Sequence, residues 1–375
     1  MLKLDRNALL LNLAPLTRVS SVKGLPIYEF VHIRHRKDSG KLTLRCMDGD
    51  VSLSACYEPE IRNEDDFDTC VPARLLLDML KQLPAGEITL SISKDGTNLL
   101  IDWNTGKSHL YTTSWTDFPD EPKIDEEHRT IRIKQDELLK AIKNVIGATA
   151  DDNTIRPALA SICFDISDGQ LNLVASDAHQ MICSTIPAAF PDERFLLPEK
   201  SAQTLKGILF GPEDVDIIFD EKHVKFSTGE FSMMSNLVAS KYPNYKNVIP
   251  KDTTGKVAIE KDLLIKSVRR MSVFANQETN LLTFHFNENG ITITGTDLTL
   301  GMTGNDVLQC KYNGPEITIG VKIPYLMNIL SSIESKHIEI GVSADNRPMV
   351  LKPSAENDQA EQVLAIVMPV NTNKR

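Results

Sequence analysis

The sequence predicts an α+β protein made of three copies of one domain, each with two helices packed on antiparallel sheet. Three observations point there. Four unrelated local patterns each occur three times in the same order. They recur at an interval near 125 residues, which is a domain's length and too long for a solenoid repeat. The stretches between them alternate apolar and polar residues, as strands with one buried face do.

The first pattern is a polar start followed by a helical period with paired leucines. It reads DRNALLLNLAPLTRV around Leu9-Leu10, KQDELLKAIKNVIGA around Leu138-Leu139 and EKDLLIKSVRRMSVF around Leu263-Leu264. Apolar residues fall at i, i+3, i+4 and i+7, the spacing of an amphipathic helix. The second is an alternating strand ending in a small-polar-Asp step: LTLRCMDGD at Asp48, LNLVASDAH at Asp177 and ITITGTDLT at Asp297. The third is a strand, a proline and a second helix, at Pro72, Pro198 and Pro324. Proline is favoured in a first helical turn, where its missing N–H would go unpaired anyway. The fourth closes each copy: DFPDEP at Pro119, KYPNYKNVIP at Pro243 and IVMPV at Pro369.

The leucine pairs lie 129 and 125 residues apart and the aspartates 129 and 120. The helix prolines lie 126 and 126 apart, the closing prolines 124 and 126. Helices are therefore expected over 4–19, 73–82, 134–146, 199–209, 259–271 and 322–336, with about eight strands per copy. Strands are expected in runs such as EITLSIS, NLLIDW, SHLYTTS, VDIIFD, HVKFST, ITIGV and HIEIGV. Boundaries at the polar stretches DEPKIDEEH and PKDTTGK give domains 1–127, 128–254 and 255–375.

Composition narrows the function. At 41% hydrophobic and 25% charged, the chain reads as soluble and globular, and no apolar run reaches the roughly 18 residues of a membrane span. The N-terminal apolar stretch is broken by Asp5, Arg6, Asn7 and Asn12, so it reads as an amphipathic helix rather than a signal peptide. The six cysteines are widely spaced, with no zinc or disulfide pattern, and suit reduced core residues of a cytoplasmic protein. A net charge of −10 argues against a chain that coats nucleic acid with its whole surface.

Enzyme motifs do not hold up. TGKS at 105–108 lacks the glycine five residues before Gly106 and runs into a strand pattern, so it is a hairpin turn and not a phosphate loop. Asp177 and His179 come without a nucleophile motif, and the eight histidines are scattered. No catalytic residue, metal ligand or cofactor site is expected.

VASDAHQM (174–181), CVPARLLLDMLKQLP, KYPNYKNVIP and IVMPV, in that spacing, resemble the bacterial DNA polymerase III sliding clamp (beta subunit) family along the whole chain. The resemblance implies DNA-clamp domains, a non-catalytic processivity factor and a head-to-tail homodimer whose six domains close a ring around duplex DNA. A size estimate agrees. A domain of this length has a radius of gyration of ~14 Å, equivalent to a sphere ~35 Å across. Three such spheres leave a gap of ~5 Å and six leave ~35 Å, against a duplex ~20 Å across. Over the six expected helices, fifteen basic residues outnumber eight acidic ones, a net +7 that leaves −17 for the rest. Sequence-independent phosphate contacts suit a ring that must slide. The candidates are Lys140, Lys143, Lys266, Arg269 and Arg270, with Lys23 and Asn153 on loops.

The resemblance also implies an apolar groove that receives a short peptide from the polymerase alpha subunit, the clamp loader, other polymerases and repair proteins. Its residues here would be Leu159, Ser176, His179, Met181, Pro243, Val248, Ile366, Met368, Pro369 and Val370. Methionine is an adaptable lining for several ligands, and an extended peptide adds main-chain hydrogen bonds. This sequence departs from the family at Gln180 (usually Arg), Ala178 (usually Gly) and Asn247 (often basic), and NTNKR extends past the usual end. Those departures leave open a clamp-fold paralogue or scaffold with altered partner binding. Leu110, Val273 and Phe274 are the candidates for the dimer interface.

Overall fold

The computed structural model describes residues 1–20, 24–61, 63–151, 156–188, 190–354 and 362–370. Six helices occur among them: α1 (Arg6–Leu16), α2 (Ala73–Gln82), α3 (Gln135–Val145), α4 (Glu199–Leu205), α5 (Lys261–Ser272) and α6 (Ile323–Ser332). Every strand pairing is antiparallel, as the alternation implied. Packing divides the chain into two compact units, Met1–Asp136 with Lys200–Leu237, and Glu137–Glu199 with Val238–Arg375.

The first unit carries an eight-stranded sheet. Its strand order is Phe67–Pro72, Phe30–His35, Leu42–Met47, Val51–Tyr57, Phe231–Asn236, His223–Ser227, Asp214–Phe219 and Arg129–Lys134. The sheet therefore runs from the first repeat into the second, with Val51 opposite Ser235 and Ala55 opposite Phe231. A four-stranded sheet holds Leu2–Asp5, Glu87–Ile92, Asn98–Trp103 and Gly106–Tyr111, the last at an edge. α1 and α2 pack together. They bury Leu9, Leu13 and Leu16 of α1 and Leu76, Leu77 and Leu80 of α2. Each such side chain is worth about 1.5–3 kcal/mol of burial.

The second unit repeats the plan. Its nine-stranded sheet runs Glu193–Pro198, Ser161–Ser167, Gln170–Ser176, Gln180–Pro187, Val363–Val367, Met349–Pro353, His337–Val342, Gly255–Glu260 and Tyr312–Asn313. Here the second repeat joins the third, with Gln180 opposite Val367 and Ser184 opposite Val363. A four-stranded sheet holds Met302–Leu308 (an edge), Gly290–Asp297, Leu281–Asn287 and Ile317–Lys322. α5 and α6 are in contact and bury Leu264, Val268 and Met271 of the first and Leu326, Ile329 and Leu330 of the second.

Several helix ends differ from expectation. Residues 4 and 5, expected in α1, belong to strand Leu2–Asp5, where Leu2 and Leu4 face the core opposite Leu90 and Ile88. Asp5 ends that strand and caps α1 by accepting the Ala8 N–H at 2.9 Å. α4 stops at Leu205 rather than 209, because Gly207 follows in a turn against Arg18, where a Cβ would lie 2.2 Å from the guanidinium. α6 stops at Ser332, since Ile333 is fully buried in extended backbone at φ −96°, ψ 117°. Pro72 and Pro198 precede α2 and α4 instead of lying in their first turns, while Pro324 does sit in the first turn of α6. TGKS lies on a hairpin, with Asn104 and Thr105 as the turn and Gly106 opening the edge strand.

Candidate functional site

The aspartate of each repeat is a turn-former. Asp48 Oδ1 accepts the N–H groups of Asp50 and Val51, Asp177 Oδ1 those of His179 and Gln180, and Asp297 Oδ1 those of Thr299 and Leu300. A carboxylate satisfied by two backbone donors holds a tight turn between two strands. The three copies thus share a structural task, and Asp177 beside His179 belongs to it.

In the second unit the Asp177 turn leads into the strand that pairs with the C-terminal strand. Met181 lies opposite Ile366, and both side chains are buried. They join Leu159, Ala158, Cys163, Val174, Cys183, Leu196, Tyr242, Tyr245 and Val350 in one apolar cluster. Val248 and Pro243 stand exposed on the neighbouring segment 242–250. That segment is tied down through Tyr245, whose hydroxyl donates to Asp165 Oδ2 at 2.6 Å. Arg194 donates twice to Asp165 Oδ1, at 3.0 and 2.8 Å. Burial, then the Asp165 carboxylate, pushes the Tyr245 hydroxyl pKa far above its usual range, so it stays a donor. Lys246 adds a bond to Ser167 Oγ at 3.0 Å.

The C-terminal residues turn past the same strand. Met368 donates its N–H to the His179 carbonyl at 2.8 Å and Val370 its own to Gly320 at 2.8 Å. The exposed His179 ring stacks on Tyr325 of α6, with centroids 5.3 Å apart and planes 12° apart. Ser176 Oγ donates to the Gln180 carbonyl at 2.7 Å. Gln180 is buried and bridges: its Nε2 donates to Asp177 at 3.1 Å, and its Oε1 accepts from Asn328 at 2.9 Å. Asn328 also donates to the Gly147 carbonyl at 2.8 Å. A cavity of about 680 Å³ adjoins Met368, Pro369 and Val370 and is otherwise lined by Pro315, Glu316, Ile317, Thr318, Gly320 and Ser343 to Asn346.

Leu159, Met181 and Ile366 therefore form a buried floor, Pro243, Val248 and His179 stand exposed beside it, and Met368 to Val370 border the cavity. Sequence reasoning missed Tyr325, Asn328 and the residues at 315–320 and 343–346. Only the position of Tyr325, an aromatic residue at the start of a helix, offered any signal. At the corresponding joint in the first unit Ser52 stands where Met181 does, opposite the buried Met234, and donates to Glu121 at 2.9 Å, while Lys200 pairs with Asp48.

Of the basic candidates, Lys143, Lys266 and Arg269 are exposed on α3 and α5. Lys140 lies 3.1 Å from Glu334, and Arg270 is engaged by Asp306. Lys23 and Asn153 lie outside the described residues. Val273 is exposed just after α5. Phe274 is half-buried over Gly304 of the edge strand, where a Cβ would come within 2.6 Å of the ring. Leu110 lies on the other edge strand, Gly106–Tyr111. Cys46, Cys70, Cys163 and Cys183 are free and buried, and burial raises each thiol. No group of residues able to hold a metal, and no helix able to cross a membrane, occurs among the described residues.

Residues 1–122, 132–244 and 246–370 match, in order, the N-terminal, central and C-terminal domains of the DNA polymerase III beta subunit. The chain is 26% identical to the beta sliding clamp of Pseudomonas aeruginosa, over 80% of this chain and 81% of that one. It is 25% identical to that of Halalkalibacterium halodurans over 98% and 99%. The solved beta subunit from Pseudomonas aeruginosa superposes with a TM-score of 0.91 at 24% identity, covering 98% of this chain and 99% of that one. The Bacillus subtilis clamp gives 0.89 at 19% identity, with 99% and 98% covered. With all three domain models matched in sequence order, the chain belongs to the DNA polymerase III beta subunit family and functions as a DNA sliding clamp, not as an enzyme.

Proposed function

We propose that two copies of this chain, each with domains 1–127, 128–254 and 255–375, close head to tail into a six-domain ring around duplex DNA in the cytoplasm. The observation that carries this reading is a pair of spare edges. Gly106–Tyr111 ends one sheet and Met302–Leu308 ends another, while the chain's other repeat boundaries are bridged by continuous sheet. An uncovered edge is a template for pairing, and a second copy supplies the complementary one. Leu110 on one edge, with Val273 and Phe274 beside the other, would be buried there.

Lys140, Lys143, Lys266, Arg269 and Arg270 then face the duplex through loose phosphate contacts, together with Lys23 and Asn153. Lys143, Lys266 and Arg269 are the best placed, since Arg270 is shared with Asp306. The floor of Leu159, Met181 and Ile366, with Ser176, His179, Pro243, Val248, Met368, Pro369 and Val370 around it, receives peptides of the polymerase alpha subunit, the clamp loader and other DNA enzymes. Relatives named beta sliding clamp favour this over a scaffold that has lost replication. Gln180 spends its amide on Asp177 and Asn328 and brings no charge to the groove, so acidic peptide segments bind less tightly than to a clamp with Arg there.

The test is light scattering with and without nicked circular DNA that is then linearised. A dimer near twice 41.8 kDa that stays on circles and runs off linear DNA supports the ring. A monomer, or equal loss from both forms, rejects it.

A further inference from the structure

The chain makes one kind of joint twice. In the first unit Val51 pairs with Ser235, and the next residue, Asn236, donates its N–H to Asp50 O at 2.9 Å. In the second unit Gln180 pairs with Val367, and Met368 donates to His179 O at 2.8 Å. In both, the aspartate turn also touches the start of a helix. Lys200, second in α4, pairs with Asp48; Tyr325, third in α6, stacks on His179.

The same parts exist a third time without a mate among the described residues: the Asp297 turn, strand Met302–Leu308, strand Gly106–Tyr111 and α2. Their correspondence is fixed by bonds. Thr113 bridges Cys70 as Val370 bridges Gly320, and Cys70 and Gly320 each lie three residues before a helix, α2 and α6. Leu110 is thus the counterpart of Val367, and Met302, opposite Asp297, that of Gln180. Joining the parts across two copies sets Met302 opposite Leu110, Gly304 opposite Ser108 and Asp306 opposite Gly106.

The third turn differs in one way. The pairs Met47–Ser52 and Ser176–Met181 each enclose four residues, whereas Thr296–Thr303 encloses six. The longer turn is apolar: Leu298 is 76% exposed and Leu300 66%. The residue of α2 at Tyr325's position is Leu75, itself half exposed. We propose that Leu298 and Leu300 of one copy seat on Leu75 at the start of α2 in a second copy, fixing the register just derived. The inference rests on the ring reading above. It accounts for three solvent-facing leucines with one contact, and it places apolar burial at the joint that lacks the covalent continuity of the other two.

The test is a dilution series of the full chain by light scattering. The variants are Leu298→Ala/Leu300→Ala, Leu75→Ala, all three together, and Phe274→Ala at the edge strand as a reference. All of the first three are surface changes that leave the fold intact. Each should raise the dimer Kd by about tenfold or more. The combined variant should be no weaker than the stronger single one, since they remove the same contact. An unchanged Kd, or fully additive effects, while Phe274→Ala still weakens the dimer, overturns the leucine seat and leaves the ring standing. A wild-type monomer at every concentration overturns the ring and the seat with it.

Discussion

Ala178 holds a φ of 75° in the Asp177 turn, where the family usually has glycine. The left-handed region costs a residue with a Cβ on the order of 1–2 kcal/mol, so the chain tolerates strain in the turn that leads to Met181. Ala178→Gly should raise stability by about 1 kcal/mol without altering the strand pairing, measured by urea denaturation. An unchanged midpoint would mean that the turn relaxes around alanine at no cost. Residue identity was readable from the sequence; its conformation was not. The repeated aspartates announced themselves by spacing, yet a carboxylate two residues from a histidine resembles chemistry until its two backbone donors are seen. Gln180 is a similar case. Its departure from the family was visible at once, whereas its burial between Asp177 and Asn328 depends on a helix 148 residues away.

Elements were legible where local pattern decides them. Paired leucines at helical spacing marked the helices, and α2 spans the expected 73–82 because its apolar stripe and flanking proline coincide. Ends failed where a tertiary contact outweighed the local period. Leu2 and Leu4 continue the apolar stripe of α1, but pairing with Leu90 and Ile88 makes them strand. Ile333 is buried too deeply for the helix to continue through it. The contact of α6 with the turn after α3 illustrates coupling that no local pattern carries. Asn328 there serves both Gly147 and Gln180. Asn328→Ala should cost about 1–3 kcal/mol, because it leaves two acceptors without that donor. Peptide affinity should fall in the same variant, since Gln180 lies beside Met181. Loss of stability with affinity intact would show that this tie supports the sheet joint alone.

Across the whole molecule, the sequence-level repeat and the observed packing divide the chain differently. Three repeats are written in the motifs, but the second shares one sheet with the first and another with the third, giving two units. Strand partners such as Ser54 and Ser232 are 178 residues apart, so no periodicity could reveal them. Charge, by contrast, was legible: the helices carry the positive excess of a protein that is acidic overall. A ring retained by topology and weak phosphate contacts should stay on nicked circles as salt rises from 50 to 200 mM. Over that range, six to ten phosphate contacts on open-ended DNA would weaken by roughly 10³–10⁵. Equal salt sensitivity on circular and linear DNA would show that charge, not closure, holds the protein.

The shared sheets also limit how the molecule can be taken apart. A middle repeat excised on its own would bare the outer edges of Phe231–Asn236 and Gln180–Pro187, two open ladders on one small body. Such a piece is a nucleus for stacking with its own kind and not a smaller clamp. The repeat by which the chain is recognised is therefore not a module it can lend.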